Sequence, residues 1–231
     1  TDPILDIVAT LSYVAALTSR IRLGSSVLVL PYRNPVVLAK ELASLDVLSG
    51  GRLLLGVAAG WLQEEFELLG APFADRGDRA DDHLRALRAS MSQTLPTYLG
   101  SHYRFSGMVV DPCAAQAHVP FWIGGRTARS LRRAVELGDG WCPFGLSPDD
   151  VTRLLDAARS TTAWEARQRP LEVVIQNLRP IDPLQDATDA ARVAASLREA
   201  GATMLSLRLV HHSVDHYIEQ LGAMAALVAA L

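Results

Sequence analysis

The chain has 231 residues, 49% of them hydrophobic and 20% charged, with a formal net charge of −3. A chain of this size buries a large core as one α/β barrel or as two smaller domains, and its mild acidity with dispersed arginines leaves no electrostatic footprint for nucleic acid. Cys113 and Cys142 are too few for a disulfide framework and fit a reducing cytoplasm, while the absence of a long apolar run and of a basic leader in TDPILDIVATL argues against membrane insertion or secretion.

Taken in order, residues 1–19 place Ile4, Leu5, Val8, Leu11 and Ala15 at helical spacing, and IRLGSSVLVL, 21–30, reads as a strand. Pro35 opens the helix VVLAKELASLDVL and Gly50-Gly51 closes it. Asp46 and Arg52 bracket that turn and read as a structural ion pair. RLLLGVAAG, 52–60, is the second strand. An excursion at about 61–119 follows, with helices at 61–69 and 77–92 and an irregular stretch, PTYLGSHYRFSGMVVDP. The run Asp75, Arg76, Asp78, Arg79, Asp81, Asp82 within it reads as a solvated helix start, with Arg76 or Arg79 the residues able to lean over a site. FWIGG is the third strand, 126–138 its helix, and GWCPFG the fourth strand; Ser147 with Asp150 caps the next helix. LEVVIQNL is the fifth strand, 186–200 a helix ending at Gly201, and TMLSLRLV the sixth strand before a last helix.

Six βα units with continuous apolar strands argue for a parallel sheet buried on both faces. A closed (β/α)8 TIM barrel has eight strands, so the chain is expected to be a single barrel domain over 1–231 without its first one or two βα units. In such a barrel the chemistry sits on the loops after the strands. Those loops contain small residues, occasional aromatics and few acids: there is no carboxylate pair, no metal-spaced His/Asp/Glu set and no strand-end lysine. His211, His212 and His216 lack an acidic or cysteine partner at suitable spacing and read as a solvated turn. Glu64 and Glu65 read as surface residues of a short helix. No metal and no catalytic acid or base is assigned from these residues.

Two glycine-rich features stand out. Gly124-Gly125 ends a strand where a helix begins, so unpaired N–H groups and the positive end of the helix dipole converge there, as at an anion site. The same pair also serves a plain strand-to-helix turn, and by itself does not separate the two readings. Gly24-Ser25-Ser26 interrupts an apolar strand, the mark of a bulge or of a close backbone approach. With glycine and alanine at other strand ends, the pattern suggests a flat, phosphate-bearing, flavin-like cofactor.

The string TSRIRLGSSVLVLPYRNPVVLAKELASLDVLSGGRLLLGVAAGWLQEEFELLG, followed by PFADRGDRADDHLRAL, FWIGGRTARSLRRA and GDGW, resembles the luciferase-like monooxygenase family, and is most similar to bacterial members that use the deazaflavin coenzyme F420. The resemblance runs from residue 2 to at least 145 and weakens beyond. It implies a luciferase-like TIM barrel, usually dimeric, an F420-dependent oxidoreductase passing hydride to or from a small organic substrate. An FMN-dependent monooxygenase, or a non-catalytic paralogue that binds either coenzyme, is the alternative. It further implies a non-proline cis peptide at Ser26–Val27 behind the ring system, with Ala59, Gly60 and Trp61 lining the ring or its side chain. Gly124, Gly125, Arg126 and Thr127 would hold the phosphate, and Trp141 would border the same pocket. Family members carry a strand, a helix and a second strand ahead of the helix that opens this chain, and those strand ends often supply the residue that contacts substrate or delivers a proton.

Overall fold

The computed structural model describes residues 4–229, so residues 1–3 of the helix expected at 1–19 lie outside the described residues. The chain forms two compact units, Thr1–Ile123 and Gly124–Leu231. In the first, α1 (Ile7–Leu17) starts behind Asp6, whose carboxylate accepts the N–H groups of Val8 and Ala9. Strand β1 (Leu23–Val29) leads through a 3-10 turn to α2 (Pro35–Ser49). Asn34 caps α2, Pro35 takes the first position, where its missing N–H costs nothing, and Gly50 ends it at φ +69°. Leu38, Ala39, Leu42 and Leu45 give α2 its buried side. Strand β2 (Leu53–Ala58) is an apolar run buried from Leu53 to Val57, as expected for a strand with both faces covered.

The ion pair expected between Asp46 and Arg52 does not form. Asp46 is fully buried and accepts the backbone N–H of Gln116 at 2.9 Å and the Gln116 side-chain amide at 2.8 Å. The Arg52 guanidinium instead donates to the carbonyls of Ala15, Thr18, Ile21 and Ser49. A buried carboxylate is satisfied by hydrogen bonds from a chain segment 70 residues away, which sequence proximity does not reveal.

Helices α3 (Gln63–Leu68) and α4 (Arg76–Ser92) follow, then a two-stranded antiparallel hairpin, β3 (Tyr98–Leu99) and β4 (Arg104–Phe105), inside the stretch that reads as irregular. Strands of two residues carry no periodicity to read. The hairpin is fixed from α4 by Asp82, which accepts from the Tyr98 hydroxyl at 2.5 Å and from the N–H groups of His102 and Tyr103 at 2.7 and 2.9 Å. Asp82 is therefore not part of a solvated helix face: it is 4% exposed, and its neighbour His83 is fully buried. Strand β5 (Phe121–Gly124) lies parallel to β2, as β2 does to β1.

Gly124 opens the second unit, in which α5 (Ala128–Leu137), β6 (Gly140–Cys142), α6 (Pro148–Arg159), α7 (Thr162–Glu165), β7 (Glu172–Gln176), α8 (Ala187–Glu199), β8 (Met204–Ser206) and α9 (Val214–Ala229) alternate. β6, β7 and β8 run parallel as neighbours. The Ser147 cap is in place, accepting the Asp150 N–H. β6 and β8 are three residues each, shorter than the runs 140–145 and 203–210 suggest. Past β8, Arg208 is tied instead to the Asn177 side chain, which takes its N–H at 2.7 Å and donates to its carbonyl at 2.9 Å. Ile181, Ala190, Ala194, Leu209 and Met224 form a core under α8 and α9. Among the described residues, no helix is long and apolar enough to cross a membrane and no three His, Cys, Asp or Glu side chains cluster as metal ligands.

Candidate functional site

In the first unit, the ends of β1 and β2 carry the expected residues on neighbouring strands. Ser25 pairs with Leu55 and Leu28 with Val57, so Ser26 and Val27 together stand against Gly56. This is the bulge that Gly24-Ser25-Ser26 announces. The Ser25 hydroxyl closes it by donating to the Gly56 carbonyl at 2.7 Å. The Ser26–Val27 peptide is cis. Ser26 is exposed, and Val27, 40% exposed, puts a branched apolar side chain on an open surface.

After β2, Ala59 and Gly60 are half-buried and Trp61 is 75% exposed. Gly60 sits at φ +82°, and a β-carbon there would come within 2.7 Å of the Phe66 ring and 2.8 Å of Val29; the loop needs glycine both for its backbone angle and for space. Arg76 is the arginine that reaches this loop. Its Nε donates to the Gly60 carbonyl at 3.1 Å, and its guanidinium lies 3.9 Å from the centre of the Phe73 ring. Tyr32, in the loop after β1, packs edge-on against Phe66 and donates its hydroxyl to Glu65 at 2.7 Å. Burial, then the hydrogen bond to Glu65, pushes the Tyr32 phenol up to about 12. Tyr32 is thus a fixed neutral donor near neutral pH, and Glu65, an exposed residue of the short helix α3 as the sequence suggests, accepts its hydroxyl.

In the second unit, the turn after β5 is built around Gly125, at φ +140°. A β-carbon there would meet the Ser130 β-carbon at 2.6 Å. Thr127 caps α5 in a reciprocal box: its hydroxyl accepts the Ser130 N–H at 3.3 Å, and the Ser130 hydroxyl accepts the Thr127 N–H at 3.1 Å. The Gly125 N–H donates to the Cys142 carbonyl at 3.3 Å. Two of the donors expected to face an anion, those of Gly125 and Thr127, are therefore spent inside the protein. The N–H groups of Arg126, Ala128 and Arg129 have no partner among the described residues, which moves the open donors one step along the chain, still within the positive first turn of α5. The Arg126 guanidinium lies 5.7 Å from the centre of the Phe144 ring.

Trp141 does not border an open pocket. It is fully buried, and its indole N–H donates to the Gly125 carbonyl at 3.0 Å and reaches the Ser130 hydroxyl at 3.4 Å. A buried indole requires a partner for its N–H, and here it finds one by bracing the glycine turn. Gly56, Tyr32 and Ser130 are the supports that sequence reasoning missed. The one signal for any of them was the Thr-x-x-Ser spacing of the capping box.

Apolar parallel strands alternating with helices, their ends carrying glycine turns, define an α/β protein. The chain belongs to the luciferase-like monooxygenase family, whose model matches residues 2–227. It is 31% identical to an uncharacterized protein of Mycobacterium tuberculosis over 176 residues, 76% of this chain and 60% of that protein. It is 28% identical to the FMNH(2)-dependent dimethylsulfone monooxygenase of Pseudomonas putida over 152 residues, 64% of this chain and 42% of that enzyme. The chain thus spans about 60% or less of the length of these two relatives. Among solved structures, the monooxygenase RslO1 from Streptomyces bottropensis superposes with a TM-score of 0.78 at 21% identity, covering 97% of this chain and 82% of that one. The coenzyme F420 dependent tetrahydromethanopterin reductase of Methanopyrus kandleri does so with a TM-score of 0.66 at 21% identity, covering 81% and 58%. These likenesses establish the luciferase-like TIM-barrel fold, six of whose strands lie among the described residues.

Proposed function

We propose that the chain holds the deazaflavin coenzyme F420 and serves hydride transfer to or from a small organic substrate. The observation that carries the coenzyme reading is the set of unpartnered N–H groups on Arg126, Ala128 and Arg129 at the start of a ten-residue helix, a donor set suited to the phosphate of either coenzyme; the choice of F420 rests on the resemblance carried by the motifs between residues 2 and 145. The turn is preformed: Trp141 and the Thr127–Ser130 box hold it, so little ordering cost falls on binding. Ser26 and Val27 are assigned to the ring system and Ala59, Gly60 and Trp61 to the ring or its side chain, Val27 and Trp61 supplying apolar surface that excludes water. When bound, the deazaflavin supplies a two-electron hydride carrier with carbon at the position through which a flavin reacts with oxygen.

The FMN-dependent reading draws on the relative from Pseudomonas putida, whose name records FMNH(2) dependence. Separate fluorescence titrations with F420 and FMN test the choice. Micromolar or tighter binding of F420 is expected. Binding of FMN with none of F420 reverses the assignment, and binding of neither removes the coenzyme reading altogether.

A further inference from the structure

Apart from the coenzyme residues, the first unit contains a cavity of about 330 Å³ between the start of α2 and the β3–β4 hairpin, at the low end of the range for small-molecule sites. Val36, Val37, Phe105 and Met108 supply its apolar wall, and the exposed side chains of Asn34 and Arg104 and the Tyr103 hydroxyl, which is already hydrogen-bonded to Arg79, its polar groups. Arg104 uses its Nε on the Gly100 carbonyl at 3.2 Å. Its two terminal nitrogens have no hydrogen-bond partner, and no carboxylate pairs with it among the described residues. The nearby acids are already engaged, Asp82 by the hairpin and Asp75 by Arg79 at 2.7 Å and His102 at 3.6 Å. Asn34 spends its side-chain oxygen on the N–H groups of Val36 and Val37, which leaves its amide NH₂ as a donor. The polar side chains of the cavity that remain unpaired are therefore all donors, one of them a full positive charge.

We propose that this cavity is a binding site for a compact organic monocarboxylate, its carboxylate held end-on by the two terminal nitrogens of Arg104 with help from Asn34, its apolar body against Val37, Phe105 and Met108. A planar guanidinium with both terminal nitrogens unpaired matches the two oxygens of a carboxylate, whereas a neutral ligand of the same shape leaves the exposed guanidinium to water and gains no charge-assisted bond. The site is preorganised. Asp82 fixes the backbone at His102 and Tyr103, next to Arg104, and the Tyr98 ring packs on Phe105 with centres 5.7 Å apart, so the arginine is presented from a rigid hairpin. The site shares no residue with the coenzyme assignment.

The test uses the coenzyme-free chain, titrated with 2-naphthoate and, separately, with its neutral analogue 2-naphthamide, by calorimetry and by backbone amide NMR. Naphthoate is expected to bind with a micromolar to millimolar dissociation constant, to shift amides of the 34–37 and 103–108 segments, and to bind about tenfold more tightly than the amide. Arg104→Gln is expected to remove that tenfold preference while leaving naphthamide binding unchanged. Met108→Trp, which fills the cavity, is expected to remove both. Equal affinity for the two probes, naphthoate binding that survives Arg104→Gln, or shifts confined to other segments overturns the proposal, as does an absence of binding in the millimolar range. Because no coenzyme is present, none of these outcomes depends on the choice between F420 and FMN.

Discussion

Gly56 lies against Ser25 with no space between them: the Ser25 hydroxyl donates to the Gly56 carbonyl at 2.7 Å, and a β-carbon on Gly56 would overlap the Ser25 carbonyl oxygen. The bulge at Ser26 and Val27 is therefore bought on the neighbouring strand, by the one residue type that leaves room for it. Gly56→Ala is expected to destabilise the protein by about 2–3 kcal/mol or more, since backbone has to move to admit the methyl group. Urea denaturation measures it. A midpoint equal to that of the unsubstituted protein means that the β1–β2 contact has slack.

The open donors of α5 allow a test that spares the fold. Ala128 is the first residue of the helix, behind a Thr127 held at φ −124° and ψ 159°, an extended conformation that also suits the residue before a proline. Ala128→Pro deletes one N–H at the position where proline is best tolerated. Coenzyme affinity is expected to fall about tenfold, the value of one charge-assisted hydrogen bond, with the thermal midpoint within a few degrees of the original. Unchanged affinity for either coenzyme removes Ala128 from the anion seat. Gly125 is a poor place for such a test, because any side chain there strikes Ser130.

Trp141 acts on the same turn from beneath. Trp141→Phe keeps most of the buried ring but withdraws the N–H that satisfies the Gly125 carbonyl. A loss of about 1–3 kcal/mol in stability is expected, together with weaker coenzyme binding, whereas Ala128→Pro weakens binding alone. Full stability in the phenylalanine variant would show that the indole hydrogen bond does not hold the turn.

The parts legible in the sequence are those encoded locally. Pro35 and Gly50 bound α2 because cap and helix-start chemistry act within one turn, and Gly24-Ser25-Ser26 marks the bulge because three small residues in an apolar strand have few other uses. The glycine turn after β5 is legible in place but not in detail. Which N–H groups stay open is decided by Ser130, three residues on, and by Cys142 on the next strand. The same limit explains Asp46 and Asp82, whose carboxylates are satisfied by backbone N–H groups at Gln116 and at His102 and Tyr103. A charged residue read from its neighbours in sequence looks solvated, as Asp82 does, or paired nearby, as Asp46 does with Arg52, and only the long-range contact shows what satisfies it.

His83 gives a prediction in pH. It is fully buried on α4, its ring edge-on to Tyr103 with centres 5.3 Å apart, and neither ring nitrogen has a partner among the described residues. Burial pushes its pKa down from 6.5 to about 4, against the opposing pull of the Asp82 charge. Above pH 6.5 the imidazole is neutral in both folded and unfolded chains and does not bear on stability. As pH falls from 6.5 toward about 4, the unfolded chain takes up a proton that the folded chain refuses, so stability declines across that window and the loss is complete below it. The displacement corresponds to about 3 kcal/mol. Asp82 acts in a separate, more acidic window. Burial raises its pKa, but the Tyr98 hydroxyl and the His102 and Tyr103 N–H groups outweigh that and hold it below 3.8; its contribution is present above that value and is lost only as pH falls further. Urea unfolding at about pH 7 and about pH 4.5 separates the two. The unsubstituted protein is expected to lose stability between these points, and His83→Leu, which removes the titrating ring and leaves no unpaired polar atom, to lose markedly less. Parallel losses in the two proteins would assign the acid sensitivity to other groups and clear His83 of it.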